Sequence, residues 1–533
     1  MLMKRVLFLI SLLLSLALHA SEHSIKLEKG EVVWGGLVKD GSLMPYDVLF
    51  SRSLRINREN QAQPLLITNK GQYVWSDAPF SFTIEPHRIS ITDAQSAIYS
   101  GKAGESLSDA YRYVSQHFFP SDGTLPPIEF FEKPQYNTWI ELMYDQNQEG
   151  VINYAREILN HGLPPGIIMI DDTWQEDYGK WVFHPGRFPD PKAMVAQLHE
   201  WGFKVMLWIC PFVSMDQYLI CREINSFKGF LLWDEAGSKK TWSEANLPYP
   251  VRWWNGTSAV LDFSNERSVE WFDAQLQRLM TDYGVDGFKF DAGDFNFYPS
   301  DALSKGHFSA PQQCESFAKF GLKYPFNEYR ACWKMAGRPL VQRLHDKAHS
   351  WADLQKLIPE MLAQNMMGYT FSCPDMVGGG SFETFLKGEI DQELIVRSAQ
   401  CHALMTMMQF SLAPWRVLDK QHYEAVLKAV DKRSSYIDTI ISLAKQSARS
   451  GEPIMRPMEY VFPHSGYESI TDQFMLGDSL LVAPLLQPGV ERTVVLPEGE
   501  WLSDDGTRYV SPKSGLRVKI HVPIDRLPTF KLL

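Results

Sequence analysis

The sequence predicts an α/β protein: a (β/α)8 TIM barrel flanked by an N-terminal β-sandwich and a C-terminal β domain. Three observations carry this. From about Gln135 to Arg416, strand-like apolar runs alternate with helical segments, over a length that suits a barrel of about 250 residues. On either side the pattern changes to short alternating runs broken by turn residues. The length of 533 residues accommodates about three domains at roughly 100–200 residues each.

Residues 1–20 read as a signal peptide. Lys4 and Arg5 precede an apolar run from Val6 to Leu18, which closes on small Ala20. The run is shorter than the roughly 20 residues of a membrane span, so export to the periplasm or beyond is expected, with no span left after removal. Residues 21–125 form the expected β-sandwich, with strands near 65–69, 73–75, 80–84 and 89–91. Residues 120–134 contain four prolines and read as a linker.

The barrel is placed at 135–420. Gly166 to Ile170 is a continuous apolar run, as a doubly covered parallel strand should be. Residues 191–201 have helical spacing, and 203–211 the next strand. Asn265 opens a helix whose Val269, Phe272, Leu276, Leu279, Met280 and Tyr283 share one face. Gly284 stops it, and the strand 285–291 follows. A doubly wound open sheet would call for a Gly-rich nucleotide turn, which the chain lacks. Residues 440–533 return to strands, at 472–484, 493–496 and 518–522, with a turn at Pro488-Gly489.

Composition bounds the function. Lys and Arg number 52 against 63 Asp and Glu, a net charge of −11, which argues against a nucleic-acid partner. Aromatic residues make up 13%; they serve large cores, and at strand ends they can stack on sugars. No Cys stands in a metal-binding spacing, and of the six only Cys314 and Cys332 look like a loop disulfide. Asn255-Gly256-Thr257 matches a glycosylation acceptor.

Catalytic groups of a barrel lie at the C-terminal strand ends, and three segments put charge there. In the first, Lys289 and Asp291 alternate with Phe288 and Phe290. The charged pair shares the inward face, and the ammonium favours an ionised Asp291, as a glycosidic nucleophile requires. In the second, Asp171 and Asp172 close a strand before Trp174. Paired acceptors suit neighbouring sugar hydroxyls, and a divalent metal is their other use, although no His cluster accompanies them. In the third, Asp346 sits among Arg343, His345, Lys347 and His349. That basic surround lowers a carboxylate pKa, whereas a general acid needs a raised one. Two such carboxyls stand about 5–5.5 Å apart in retaining and about 6.5–9.5 Å apart in inverting glycosidases; spacing along the chain leaves both open.

The residues resemble glycoside hydrolase family 31. The marks are Arg187-Phe188-Pro189-Asp190-Pro191, the run KVMLWICP from Lys204, Trp254-Asn255-Gly256 and LDFSN from Leu261. Asp375-Met376-Val377-Gly378-Gly379 resembles the family's DIGG turn, Glu393 to Arg397 its ELxxR helix, and DQFMLGDSLLVAP from Asp472 its C-terminal β domain. The resemblance implies a retaining α-glycosidase with Asp291 as nucleophile and Asp346 as acid/base. It implies Asp294 as the acidic residue three later, Arg330 as a sugar-binding arginine, Trp254 as an aromatic near the sugar, and Asp375 in the substrate site. The acid/base segment here is His345-Asp346-Lys347 where the family reads GDN. The stretch from Gln409 to Arg416 lacks the sugar-binding His of the family's α-glucosidases. IDDTW and KFD resemble motifs of α-galactosidases in families 27 and 36, where the Asp pair and the Lys hold galactose hydroxyls, including axial O4. The look is closest to a family 31 branch linked to α-galactoside cleavage. The expected substrate is therefore a terminal α-galactoside, with an α-glucoside, or a non-catalytic carbohydrate-binding role, as alternatives. Asp171, Asp172, Lys289, Arg330 and Trp254 are expected to hold the sugar, and Trp174 and Trp415 to offer stacking faces. No metal or cofactor is expected.

Overall fold

The computed structural model describes residues 23–47, 49–55, 60–215, 230–234 and 247–533. The expected signal, residues 1–20, and Cys221 lie outside the described residues. Among the described residues no helix is long and apolar enough to cross a membrane.

Eight parallel strands form the centre: β1 (Gln135–Asn137), β2 (Ile167–Ile170), β3 (Lys204–Ile209), β4 (Gly287–Phe290), β5 (Phe326–Tyr329), β6 (Val341–Arg343), β7 (Ser372–Cys373) and β8 (Gln409–Phe410). They pair in chain order, and β8 returns to β1 through Gln409 opposite Gln135. A bridge between Met376 and Gln409 closes the seam between β7 and β8. The register sets Trp208 beside Lys289, and Lys289 beside Glu328, so one layer of the barrel interior is polar.

Helices cover the outside. They are α1 (Gln148–Asn160), α2 (Pro191–Glu200), α3 (Glu266–Tyr283), α4 (Ala310–Gly321), α5 (Trp351–Met366), α6 (Gln392–Ala403) and α7 (Lys420–Ser435). In α3 the predicted stripe faces inward: Phe272, Leu276 and Leu279 are buried, with Val269, Met280 and Tyr283 packed beside them. Burying each large apolar side chain is worth about 1.5–3 kcal/mol. Asn265 caps the start by accepting from the Arg267 N–H, and Gly284 ends the helix at φ 82°.

No helix joins β5 to β6. Instead Cys332–Trp333 pairs in parallel with Gln61 and Ala62 of the N-terminal domain. That domain is a sandwich. One sheet holds His23–Lys26, Arg88–Thr92, Ser81–Glu85 and Phe50–Ser53; the other holds Val33–Leu37, Gln61–Thr68, Gln72–Ser76 and Ile98–Lys102. Its strands stop short of residue 125: Leu107–Phe118 is a helix, opened by a capping box between Ser106 and Asp109.

The C-terminal part likewise starts in helix, Ile437–Ser450, before its strands begin at Met455. Six strands form one sheet, Glu491–Leu496 pairs with Leu516–His521 in a second, and Trp501 and Phe530 belong to a core of their own. Arg397, of the ELxxR helix, is buried and donates to the carbonyls of Gly489, Val522 and Pro523. It docks this domain on the barrel. The expected Cys314–Cys332 disulfide is not formed: both are buried free thiols, one on α4 and the other on the strand that reaches the sandwich.

Candidate active site

A cavity of about 340 Å³ opens at the C-terminal ends of the strands, where Asp171, Asp172, Lys289, Asp291, Arg330 and Asp346 all face it. A larger hollow of about 490 Å³ lies at the C-terminal domain beside Gln355 and Lys519. It gathers surface ion pairs rather than convergent buried groups, so the barrel cavity is the candidate active site.

The floor is the pair Lys289–Asp171, with Nζ 2.7 Å from Oδ2 and both side chains 4% exposed. Asp291 follows at the end of β4. One carboxylate oxygen accepts from the indole N–H of Trp208 at 2.7 Å, and the other from the Ala292 N–H at 2.9 Å. Ala292 holds φ 57°, a left-handed residue directly after the carboxylate. Arg330 lies 3.9 Å from Asp291 and 3.2 Å from Asp294. Burial works against charge on Asp291, but Lys289, Arg330, Arg343 and the Trp208 bond outweigh it and hold the carboxyl below the ordinary range.

Across the cavity, Arg343 on β6 is 2% exposed, and its Nη1 stands 2.7 Å from both Asp346 and Asp375. Asp375 also accepts from the backbone N–H groups of Lys347 and Gly380. Asp346 keeps about a third of its side chain exposed, at 36%. Burial raises its pKa, yet Arg343, Arg330 and Lys289 bring it below the usual value. His345 stays neutral, pushed down to about 2 by burial and then by Lys347.

Asp172 accepts from Tyr178, from the Asn255 amide at 2.6 Å and from the Thr173 N–H. Burial, and then the neighbouring Asp171, push it up to about 7. Asn255 is therefore turned into the site and occupied as a donor, which is no place for a glycan. The oxygens of Asp171 and Asp172 already have protein partners, and among the described residues no three His, Cys, Asp or Glu side chains could hold a metal ion.

Four expected residues stand elsewhere. Trp174 is fully buried in the core against Phe183 and donates to the Trp208 carbonyl. Thr173 at φ 75° turns the chain back before it. Trp415 stacks on His161 at 5.1 Å, on the short helix Pro414–Val417 away from the cavity. Asp294 and Asp375 are buried behind the lining, where they hold Arg330 and Arg343. Trp254 is at the mouth, 43% exposed, with the Arg330 guanidinium 5.1 Å above its ring.

The sequence reading missed the opposite wall. Trp139, Tyr144 and Phe382 pack edge to face there, and Trp139 donates to the Gly380 carbonyl. Arg343, one of several basic residues around Asp346 in the sequence, is the buried group that holds that carboxylate. Strand alternation would have found Trp208, which the register sets beside Lys289; Phe382 leaves no such signal.

A closed parallel barrel with acidic and basic side chains converging on one cavity at the C-terminal strand ends is the architecture of a barrel enzyme. The chain belongs to glycosyl hydrolase family 31: that family's TIM-barrel domain matches residues 132–443, and its C-terminal domain 451–531. It is 32% identical over 442 residues to the myogenesis-regulating glycosidase of Mus musculus, covering 78% of this chain and 59% of that protein. It is 26% identical to the alpha-xylosidase XylQ of Lactiplantibacillus pentosus, over 73% of this chain and 51% of the relative. The chain thus spans little more than half the length of these relatives. Among solved structures, a Flavobacterium johnsoniae family 31 dextranase complexed with glucose superposes with a TM-score of 0.83 at 18% identity, covering 96% of this chain and 66% of that one. At that identity the likeness speaks for the fold alone.

Proposed function

We propose that the chain is a retaining exo-α-glycosidase that removes terminal α-galactosyl residues by double displacement. Asp291 attacks the anomeric carbon. Asp346 protonates the leaving oxygen, then takes the proton of the water that releases the sugar. The observation that carries this reading is the pair of carboxyls facing one cavity, with Asp291 held ionised by Lys289, Arg330 and Trp208. Arg343, Arg330 and Lys289 favour the ionised form of Asp346. Sugar entry expels water and raises the cost of its charge, so its proton is taken up as substrate binds.

Two features favour galactose. Lys289, Asp171 and Asp172 gather on the cavity floor, the combination that the KFD and IDDTW motifs share with α-galactosidases. Among the described residues the cavity lining holds no His, where α-glucosidases of the family use one. A cup closed by the barrel core suits a chain end rather than an internal unit. The charged and apolar N terminus supports export of the enzyme.

The test is hydrolysis of aryl α-galactoside, α-glucoside and α-xyloside, with Asp291→Asn as control. The galactoside should be cleaved fastest, and Asp291→Asn should lose at least about 10³-fold in kcat/KM. Faster cleavage of the glucoside removes the galactose reading, and full activity of the variant removes the nucleophile.

A further inference from the structure

The N-terminal sandwich reaches the two cavity arginines through one side chain. Gln61, fully buried at the start of the strand Gln61–Thr68, donates its amide N–H groups to two carbonyls: that of Arg330 at 2.5 Å and that of Arg343 at 2.8 Å. Its own carbonyl accepts from Gln364 of α5 at 3.0 Å. Every hydrogen-bonding atom of the amide is thus used. One residue earlier, the Asn60 N–H donates to Asp294 at 2.9 Å, and Asp294 holds the Arg330 guanidinium.

The topology explains why a brace is needed. β5 and β6 pair only at Glu328–Val341 and Tyr329–Gln342, and no helix joins them. The pairing stops at Tyr329 and Gln342, and the next carbonyl on each strand, that of Arg330 and that of Arg343, is taken up by Gln61. The Gln61 amide satisfies both, so its fixed geometry sets how far apart Arg330 and Arg343 stand. Those arginines hold the carboxylates on opposite sides of the cup: Arg330 beside Asp291, and Arg343 on Asp346.

We propose that Gln61 is a positioning residue for catalysis, the clamp by which the N-terminal sandwich fixes Arg330 and Arg343 and, through them, the placement of Asp346 relative to Asp291. The inference rests on the proposed roles of those carboxylates. A displacement of about 1 Å in such a constellation costs about 10²-fold in rate.

The experiment compares Gln61→Met with Tyr369→Phe in the full chain. Tyr369 donates to the Ala62 carbonyl at 2.7 Å on the same strand and bonds neither arginine, so it reports loss of domain packing alone. Gln61→Met should lower kcat on the best aryl α-glycoside by about 10- to 100-fold, and amide hydrogen exchange should rise across residues 326–346. The alkaline limb of kcat/KM should move to higher pH. Asp346 is faced by Arg343 from β6, Arg330 from the end of β5, Lys289 from β4 and Asp375 from the loop after β7, and loosening the two arginines frees its proton less readily. Tyr369→Phe should lower the Tm but keep kcat within about twofold and the limb in place. If Gln61→Met fails to fold, Gln364→Met, which removes the donor to the Gln61 carbonyl together with a longer bond to the Gln342 carbonyl, should show the same changes in smaller measure. If Gln61→Met matches Tyr369→Phe in rate, limb and exchange, the clamp is refuted. A wild type that cleaves no aryl α-glycoside would refute the proposed function instead, and hydrogen exchange would still decide the clamp.

Discussion

Replacing Lys289 with Met removes the ammonium that lies 2.7 Å from Asp171, with both groups 4% exposed. Asp171 is then left as an unpaired buried charge, which costs about 3–5 kcal/mol. Unfolding entropy near Tm is about 2.1 cal/mol/K per residue, so a cooperative barrel of about 300 residues changes by roughly 0.6 kcal/mol per degree. The expected fall in Tm is therefore about 5–8 °C. The double variant Lys289→Met/Asp171→Asn removes the orphan charge with the cation, and should recover most of that loss. Activity should not follow. Lys289 is foremost among the cations that keep Asp291 ionised, and it faces the cavity itself, so both variants should lose at least about 10³-fold in kcat/KM. Calorimetry and initial rates on an aryl α-galactoside read the two effects separately. A Tm drop under about 2 °C in the single variant would show that Lys289 does not neutralise a buried Asp171 charge, and a double variant with activity within tenfold of wild type would show that Lys289 does not serve the site.

Three further outcomes follow from the same geometry. A methyl group at Gly380 would sit 2.7 Å from Asp375 and 3.0 Å from Asp346, so Gly380→Ala should cut kcat/KM at least about tenfold while Tm moves by only a few degrees; unchanged kinetics would mean the acid/base does not depend on that close approach. Asp172 titrates near 7 in the folded chain against about 3.9 unfolded, so between those values the native state binds the extra proton. Stability should fall as pH rises through that window, by up to about 1.4 kcal/mol per unit, and Asp172→Asn should flatten the slope of Tm between pH 5 and pH 7. Trp254 stands at the mouth under Arg330, and Trp254→Ala should raise KM several-fold with little change in kcat, a split that steady-state kinetics resolves.

Much of this architecture was legible because it is periodic. The stripe of α3, its Asn265 cap and its Gly284 stop follow from local rules that packing then obeys. Alternation put Lys289 and Asp291 on the inward face, and the cavity contains both. Trp174 eluded the same logic because a left-handed Thr173 reverses the chain, so a strand-end aromatic returns to the core. The helix Leu107–Phe118 was hidden among turn residues that in fact form its capping box. The aromatic wall of Trp139, Tyr144 and Phe382 joins the loops after β1 and β7, which meet only once the barrel closes. The bond from Gln61 to Arg343 spans two domains, and no pattern within either announces it.

In the proposed mechanism Asp291 carries the sugar covalently between the two displacements. Its most direct test is to trap the enzyme with an activated fluorinated α-galactosyl fluoride and map the labelled peptide by mass spectrometry. One glycosyl ester is expected, on Asp291. A label on Asp346 or any other residue, or turnover with no trapped ester and release of the inverted anomer, would contradict it.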